Sequence, residues 1–167
     1  MEVNQSQESS TVTRQRFEFV PTKILDNLYI SGSLEARQQD NLKQLGITHV
    51  AAIGTGLPTP HPDLVKYFTL DVKDDEEENL GQYFPVIVDF IDRAMEENGT
   101  VLVHCRAGVS RSSTSVCAYL MHEKGMSRQE AFKFVKQRHS NAKPNASFWK
   151  QLETYELKLK NSWRSYQ

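Results

Sequence analysis

Cysteine is rare in this sequence, with only Cys105 and Cys117 among 167 residues. Two cysteines cannot build the disulfide framework of a small secreted domain, and intracellular thiols stay reduced. Histidine does not replace them as a metal ligand, because the histidines are scattered and show no pairing at zinc-site spacing. They are His49, His61, His104, His122 and His139. We therefore expect neither a bound metal nor another cofactor.

The sequence also has little net charge and no long apolar run. Its formal net charge is −1, which provides no positive field for nucleic acid or an anionic membrane. No apolar stretch approaches the roughly 20 residues that cross a bilayer. The first residues, Met1 to Asn4, do not have the basic-then-apolar shape of a secretory signal. We expect a cytoplasmic protein, with a nuclear location left open, that binds neither nucleic acid nor membrane.

Short apolar runs alternate with helical patterns along the chain. Four runs predict strands: Leu28–Ile30, His49–Ile53, Val65–Leu70 and Val101–Val103. The last run is apolar throughout, as in a parallel strand covered on both faces. This alternation predicts an α/β fold with a central, mostly parallel sheet of four to five strands flanked by helices. Ligands of such sheets bind outside the carboxyl ends of the strands.

One folded domain is predicted over residues 20–160. Residues 1–19 are rich in Gln, Ser and Thr and poor in aliphatic side chains, so a disordered tail is expected there. Residues 161–167 are expected to form a C-terminal tail. A chain of this length can bury a sizeable core without disulfides or a structural metal.

Four helices are predicted from apolar spacing and capping signals. The first ends at Asn98-Gly99, the second runs from Ser112 to Lys124, the third begins with a capping box of Ser127 and Glu130, and the last follows Pro144-Asn145. Apolar stripes define the buried faces of the first and last helices. They are Leu80, Phe84, Ile87, Ile91 and Met95, and Phe148, Leu152, Tyr155 and Leu159.

A loop between the buried strand and the second helix carries the predicted chemistry. It begins with Cys105, ends with Arg111 and contains Gly108, which lets the backbone bend without a Cβ clash. A loop at a helix N-terminus directs several N–H groups inward, and the helix dipole adds positive charge. Such a loop suits a phosphate dianion. The predicted phosphate-binding residues are Arg106, Ala107, Gly108, Val109, Ser110 and Arg111.

Cys105 and Arg111 are complementary in chemistry. Helix N-termini and cationic neighbours favour a thiolate, so we expect Cys105 to attack phosphorus and form a phosphocysteine intermediate. The Arg111 guanidinium matches two phosphate oxygens, which a lysine could not do. The leaving oxygen needs a proton, for which the acidic run Asp74 to Glu78 supplies candidates, although most charge runs are solvated loops.

Three further residues near this loop allow two interpretations each. Ser112 could hydrogen-bond the Cys105 sulfur and help it leave, and the equally reasonable role of capping the following helix is compatible with this. His104 could be the base of a Cys-His pair, but adjacent strand residues face opposite ways, which favours a histidine that fixes the loop. Cys117 fits a buried small apolar residue, and a regulatory disulfide with Cys105 has no support.

The segment from His104 to Ser112 resembles the signature of the cysteine-dependent protein phosphatases. Three other segments resemble their dual-specificity branch, and the similarity extends over Pro21–Leu159. The segments are Asn27 to Gly32, Ala118 to Met121, and Pro144-Asn145 with Phe148 and Leu152. The resemblance implies a phosphotyrosine-phosphatase-like fold and hydrolysis of phosphotyrosine and phosphoserine or phosphothreonine in proteins.

The resemblance also implies roles for particular residues. Cys105 is the implied nucleophile and Arg111 the implied phosphate clamp. The family's catalytic aspartate lies five positions before an Asn-Leu or Asp-Ile pair, and Asn79-Leu80 here selects Asp74, with Asp75 as the alternative. Asn145 matches a family residue that braces the loop, although helix capping is its simpler interpretation.

Departures from related groups narrow the expected substrate. Family members that dock onto kinases carry an added N-terminal domain that is missing here, so the chain resembles a small, atypical member. Ser110 stands where carbohydrate-directed relatives have Gly, and Arg106 is the only extra cation of the loop, where inositide phosphatases often have lysines. Phosphoproteins are therefore the expected partners. The rival hypotheses are a phosphopeptide-binding module without turnover and a sulfur transferase of the rhodanese type.

Overall fold

The computed structural model describes residues 19–167, which contain one five-stranded sheet. The strands are β1 (Thr22–Leu25), β2 (Leu28–Ser31), β3 (His49–Ile53), β4 (Lys66–Leu70) and β5 (Val101–His104). Their order across the sheet is β1-β2-β5-β3-β4. β1 pairs antiparallel with β2, and all other pairs are parallel. The predicted α/β fold with a mostly parallel sheet is confirmed.

Helices cover both faces of this sheet. On one face lie α3 (Phe84–Glu96), α4 (Arg111–Lys124), α5 (Arg128–Arg138) and α6 (Ala146–Arg164), and near the other lie the short helices α1 (Ser33–Ala36) and α2 (Gln39–Gln44). A 3₁₀ turn, Gly81–Tyr83, precedes α3.

The central strand β5 contributes to the cores on both faces. Val101 and Val103 pack into the larger core with α3 to α6, whereas Leu102 packs into the smaller core that contains Ala36 and Leu42. Alternating side chains point to opposite faces, so an uninterrupted apolar strand needs cover on both. β5 is buried at every residue, which places the residue after it, Cys105, at the covered carboxyl edge of the sheet.

All four predicted strands and all four predicted helices are present. The capping box of Ser127 and Glu130 forms, and Asn98 adopts a left-handed φ of 58° where α3 ends. Both predicted apolar stripes pack into the larger core, but Leu80 of the first stripe lies before the 3₁₀ turn Gly81–Tyr83 and not in α3. The sequence analysis missed β1, α1 and α2, because each is only four to six residues long and α1 and α2 have few buried side chains.

The two predicted tails, at the N- and C-terminal ends of the domain, compare differently with the structure. The expected disordered tail lies outside the described residues except for Phe19, whose carbonyl accepts a hydrogen bond from Asn41 Nδ2 at 2.9 Å. The expected C-terminal tail is helical as far as Arg164, because no Gly or Pro interrupts α6 and Lys160 lies 3.5 Å from Glu156 one turn earlier. Within residues 19–167, no helix is long and apolar enough to cross a bilayer.

Candidate active site

The loop from Cys105 to Ser110 joins β5 to α4 and is tightly curved at Gly108. Gly108 has a φ of +71°, and a Cβ there would lie 2.7 Å from the Gly32 nitrogen and 2.8 Å from the Ser31 carbonyl carbon. Only glycine fits this conformation and this close approach. The loop therefore packs against Ser31 and Gly32 at the end of β2.

Three hydrogen bonds hold the loop carbonyls from outside. The Arg106 carbonyl accepts from the Ser33 amide at 2.9 Å, and the Val109 carbonyl accepts from the Lys143 amide at 2.8 Å. The Gly108 carbonyl accepts from His139 Nε2 at 2.6 Å. With its carbonyls facing outward, the loop can direct amide groups inward.

The inward-facing groups suit an anion. Within residues 19–167, the amide N–H groups of residues 106–110 have no protein acceptor. The loop leads directly into the first turn of α4, whose dipole places partial positive charge at the same point. This combination of free amides and a helix N-terminus is an oxyanion-binding arrangement.

Cys105 lies at the start of this loop with its side chain buried. Its Sγ lies 3.2 Å from Ser112 Oγ, a contact that allows the hydroxyl to donate to the sulfur. The alternative role of Ser112 as a helix cap is wrong, because α4 begins at Arg111 and its N-cap is Ser110. The predicted Ser112–Cys105 contact is thus present.

Arg111 is positioned by two other elements of the sheet edge. Its Nη1 donates to the Val72 carbonyl at 2.9 Å, and Gly54 at the end of β3 leaves room for the guanidinium. Its Nε is buried and, among the described residues, has no hydrogen-bond partner. A buried guanidinium N–H without a protein acceptor fits an oxygen of a bound dianion.

Asp74 and Asp75 lie on an exposed loop after β4, but their carboxylates have different partners. Asp75 Oδ1 accepts from the amides of Glu77 and Glu78, at 3.1 and 2.9 Å. Asp74 Oδ1 accepts from Asn145 Nδ2 at 3.0 Å, its one hydrogen bond within residues 19–167. Asp75 therefore stabilises its own turn, whereas Asp74 is held from the far side of the site.

Asn145 connects this acidic loop to the cysteine loop. Its side-chain oxygen caps α6 by accepting from the Phe148 amide at 2.8 Å, and its backbone amide donates to Ser110 Oγ at 3.0 Å. Its Nδ2 also donates to the Asp75 carbonyl at 3.2 Å. Asn145 therefore makes contacts that fit both roles considered for it, the cap of α6 and the brace of the loop.

The remaining two predicted residues are buried, His104 at the end of β5 and Cys117 within α4. His104 Nδ1 lies 3.2 Å from the Cys105 carbonyl and donates to it, a contact that fits a histidine fixing the loop rather than a base. Burial lowers the pKa of His104, which favours the neutral form of the ring. Burial raises the pKa of Cys117 to about 12, which fits a small apolar residue of the core rather than a redox thiol.

Three residues in these contacts were not found by sequence reasoning. His139 and Gly54 contact Gly108 and Arg111, and Gln151 ties the acidic loop to α6 through the Glu78 carbonyl and the Gly81 amide, at 2.9 and 2.8 Å. All three are distant in sequence from what they contact. The sequence offered a signal for Gly54 alone among the three, because a glycine directly after a buried strand can mark a close approach at the carboxyl edge of the sheet.

A buried thiol in an oxyanion loop, closed by an arginine at the carboxyl edge of a parallel sheet, defines a cysteine-dependent phosphatase. Comparison with known proteins specifies the family. Residues 28–158 match the catalytic domain of the dual specificity phosphatases. This chain belongs to the dual specificity phosphatase family, and it is a protein phosphatase, a hydrolase of phosphoproteins.

Sequence relatives agree with this assignment. The chain is 41% identical over 143 residues to dual specificity protein phosphatase 1 of Arabidopsis thaliana, covering 86% of this chain and 72% of that protein. It is 38% identical over 139 residues to dual specificity protein phosphatase 1 of Mus musculus, covering 83% of this chain but 38% of that protein.

Solved structures agree as well. A mouse putative dual specificity phosphatase, crystallised with zinc tungstate, has a TM-score of 0.85 at 30% identity, over 92% of this chain and 96% of that one. The human tyrosine phosphatase-like serine/threonine/tyrosine-interacting protein has a TM-score of 0.79 at 33% identity, over 83% and 97%.

Proposed function

We propose that this chain removes phosphate from phosphotyrosine and from phosphoserine or phosphothreonine in proteins through a phosphocysteine intermediate on Cys105. The observation that carries the proposal is the placement of the Cys105 sulfur, 3.2 Å from Ser112 Oγ, at the base of a loop whose amides have no acceptor in the described part of the chain. The relatives of the chain support phosphoproteins as its substrate class.

Binding comes first and uses the loop and Arg111. The amides of residues 106–110 and the dipole of α4 receive the phosphate dianion. The Arg111 guanidinium, held by the Val72 carbonyl, offers its remaining N–H groups to the oxygens. The mouse relative was crystallised with zinc tungstate, and tungstate is a tetrahedral dianion like phosphate.

The first chemical step transfers the phosphoryl group to sulfur. Cys105 attacks phosphorus in line, an S–P bond forms, and the P–O bond to the substrate oxygen breaks. Protonated Asp74 donates its proton to that departing oxygen, which leaves as a neutral hydroxyl. The bond from Asn145 positions the Asp74 carboxyl for this transfer.

The second step releases inorganic phosphate. A water molecule attacks phosphorus, the Asp74 carboxylate takes its proton, and the S–P bond breaks. The electron pair returns to the Cys105 sulfur, where the Ser112 hydroxyl stabilises it by donating a hydrogen bond. The enzyme is thereby restored.

Hydrolysis of p-nitrophenyl phosphate tests the proposal. Cys105→Ser is expected to abolish turnover, and Arg111→Lys to reduce kcat/KM by about 100-fold or more, because a point charge replaces a fork of donors. Cys117→Ala is the matched control and is expected to keep activity. Full activity in Cys105→Ser would contradict the mechanism.

A binding module without turnover is the alternative that this assay separates. Such a protein would bind phosphopeptides but release no phosphate from them or from the aryl ester. Phosphotyrosine and phosphoserine peptides of one sequence, compared by phosphate release, test the proposed dual specificity. Turnover of only one of them would restrict the substrate class.

A cytoplasmic location, with the nucleus left open, is part of the proposal. Both cysteines are free in the structure, and a cysteine nucleophile needs a compartment that keeps thiols reduced. Imaging of a fluorescent fusion, with fractionation, tests the location. A signal confined to a secretory compartment would contradict it.

A further inference from the structure

His139 occupies a position at which three elements meet. It follows the last residue of α5, and its ring lies between β1 and the cysteine loop. Nε2 lies 2.6 Å from the Gly108 carbonyl oxygen, and Nδ1 lies 3.0 Å from Thr22 Oγ1. Both ring nitrogens are therefore paired.

The chemistry of these partners fixes the tautomer of the neutral ring. A carbonyl oxygen can only accept, so Nε2 must carry a proton and donate it to Gly108. Nδ1 of the neutral ring is then an acceptor, and the Thr22 hydroxyl donates to it. Thr22 thus holds the proton of His139 on the nitrogen that faces the loop.

The backbone of His139 is held as firmly as its ring. Its amide donates to the Val135 carbonyl at 2.8 Å, and its carbonyl accepts from the Ala142 amide at 3.0 Å. These two bonds fix the backbone from which the ring reaches the Gly108 carbonyl.

The bond from His139 to the Gly108 carbonyl also sets the direction of the Val109 N–H, because both groups belong to one planar peptide. In a trans peptide the carbonyl and the N–H point in opposite directions, and the Gly108 carbonyl shares its plane with the Val109 N–H. A donor that holds the carbonyl outward therefore directs the Val109 N–H into the loop. Gly108 needs such a restraint, because it adopts a φ of +71° and glycine has the widest conformational freedom.

The other two outer donors are backbone amides, those of Ser33 and Lys143, which any side chain would allow. We propose that His139 is a positioning residue, whose Nε2–H directs the Val109 amide toward the phosphate oxygens of the substrate. This inference deepens the proposed function and rests on it.

Binding of tungstate, measured by isothermal titration calorimetry on the full chain, tests the role without requiring turnover. His139→Leu removes the donor and is expected to weaken tungstate binding by about tenfold, the loss of one hydrogen bond to a charged group. His139→Gln places an amide N–H near the position of Nε2 and is expected to restore affinity to within about threefold. Thr22→Val, which frees the tautomer, is expected to weaken binding less than His139→Leu.

His122→Leu is the matched control, because His122 is an exposed histidine at the other end of α4, and it is expected to bind tungstate as the parent does. Thermal unfolding verifies that each variant is folded. If His139→Leu does not fold, Thr22→Val decides: weaker tungstate binding than the parent supports the inference, and binding as tight as the parent overturns it.

The inference is overturned if folded His139→Leu binds tungstate as tightly as the parent, if His139→Gln is no better than His139→Leu, or if the parent binds no tungstate. If the parent chain releases no phosphate, but binds tungstate with the expected dependence on His139, the proposed function is refuted and the positioning role stands.

Discussion

Asp74 and Asp75 are adjacent and chemically identical, and only their hydrogen-bond partners distinguish their roles. Asp74 and Asp75 have the same chemistry and the same exposed loop, yet Asp75 is engaged by two amides of its own turn. Asp74 accepts from Asn145, whose backbone also contacts the cysteine loop through Ser110. Among the described residues, it is the Asp74 carboxylate that contacts Asn145, whereas the Asp75 carboxylate is engaged by its own turn.

We predict that Asp74→Asn lowers kcat by about 100-fold or more on a phosphoserine peptide, because an alkoxide leaves poorly without a proton donor. The loss on p-nitrophenyl phosphate is expected to be smaller, since nitrophenolate needs little help to leave. Steady-state kinetics on both substrates provide the measurement.

Asp75→Asn is the matched control for Asp74→Asn. It is expected to keep most of kcat, because its amide oxygen can still accept from the turn. If Asp75→Asn proved the more damaging on phosphoserine, the assignment of the acid would pass to Asp75.

Residues whose chemistry is local could be predicted from the sequence. Cys105, Gly108 and Arg111 lie on one short strand-loop-helix segment, so their spacing already describes the loop. His139 could not be found in this way, because it contacts Gly108 across 31 positions and no spacing marks it. Asn145 was placed at the start of the last helix from the sequence, but its bracing role was predicted only through the family resemblance.

At the scale of elements, the end of β3 determines where the Arg111 guanidinium can lie. A Cβ on Gly54 would come within 2.7 Å of Arg111 Nη1 and within 2.9 Å of Leu57 Cδ1. Both atoms are ends of flexible side chains that can move at little cost to the fold. The guanidinium, however, can move only by leaving its bond to the Val72 carbonyl.

We therefore predict that Gly54→Ala weakens substrate binding more than it destabilises the fold. KM is expected to rise by about tenfold or more, because small displacements of a positioning group are costly, while the melting temperature stays close to that of the parent. Gly81→Ala is the control, since its nearest neighbours would be at 3.4 Å. An unchanged KM in Gly54→Ala would show that Arg111 is not held there.

The outer surfaces of α3 and α4 meet at a pair of acidic side chains. Burial, followed by a hydrogen bond and repulsion from Glu123, raises the pKa of Asp92 to about 7 from its ordinary 3.8. The pKa of Glu123 is lowered, mainly because Asp92 donates to it. His122 lies 2.9 Å from the same Glu123 carboxylate.

The raised pKa makes stability depend on pH. The unfolded chain loses the Asp92 proton near pH 4, whereas the folded chain keeps it up to about pH 7, so the fold loses stability as the pH rises between these values. We predict that Asp92→Asn stabilises the protein by about 1 kcal/mol above pH 7, allowing for screening by water, and has little effect near pH 4.

Urea unfolding of both proteins across this pH range provides the test. Asp89→Asn, one turn earlier on α3 and ion-paired with Arg93 at 2.9 Å, is the control and is not expected to show this pH dependence. A stability difference for Asp92→Asn that stayed constant from pH 4 to pH 8 would contradict the raised pKa of Asp92.

The elements that sequence reasoning missed have a common cause. β1 is a short edge strand in which only Ile24 is buried, so it has no apolar run to mark it. It nevertheless places Thr22 within hydrogen-bond distance of His139. Periodicity detects elements that bury a face, and it does not detect elements that serve mainly as supports.

Across the whole molecule, parts far apart in sequence converge on one loop. β2 and its following turn support it at Arg106 and Gly108, the segment between α5 and α6 holds it through His139, Lys143 and Asn145, and β3 receives Arg111. The sheet order and the buried α4 bring these supports together. The fold class followed from alternating strands and helices, but the convergence depends on tertiary contacts.

The central claim is that phosphate passes through the Cys105 sulfur. The most direct measurement is acid quenching of a reaction with p-nitrophenyl phosphate, followed by mass spectrometry of the peptide that contains Cys105. We predict phosphate on Cys105, and more of it in Ser112→Ala, because loss of the hydroxyl slows release of the sulfur. Rapid phosphate release with no modification of Cys105 at any quench time in either protein, or with phosphate on another residue, would contradict the account.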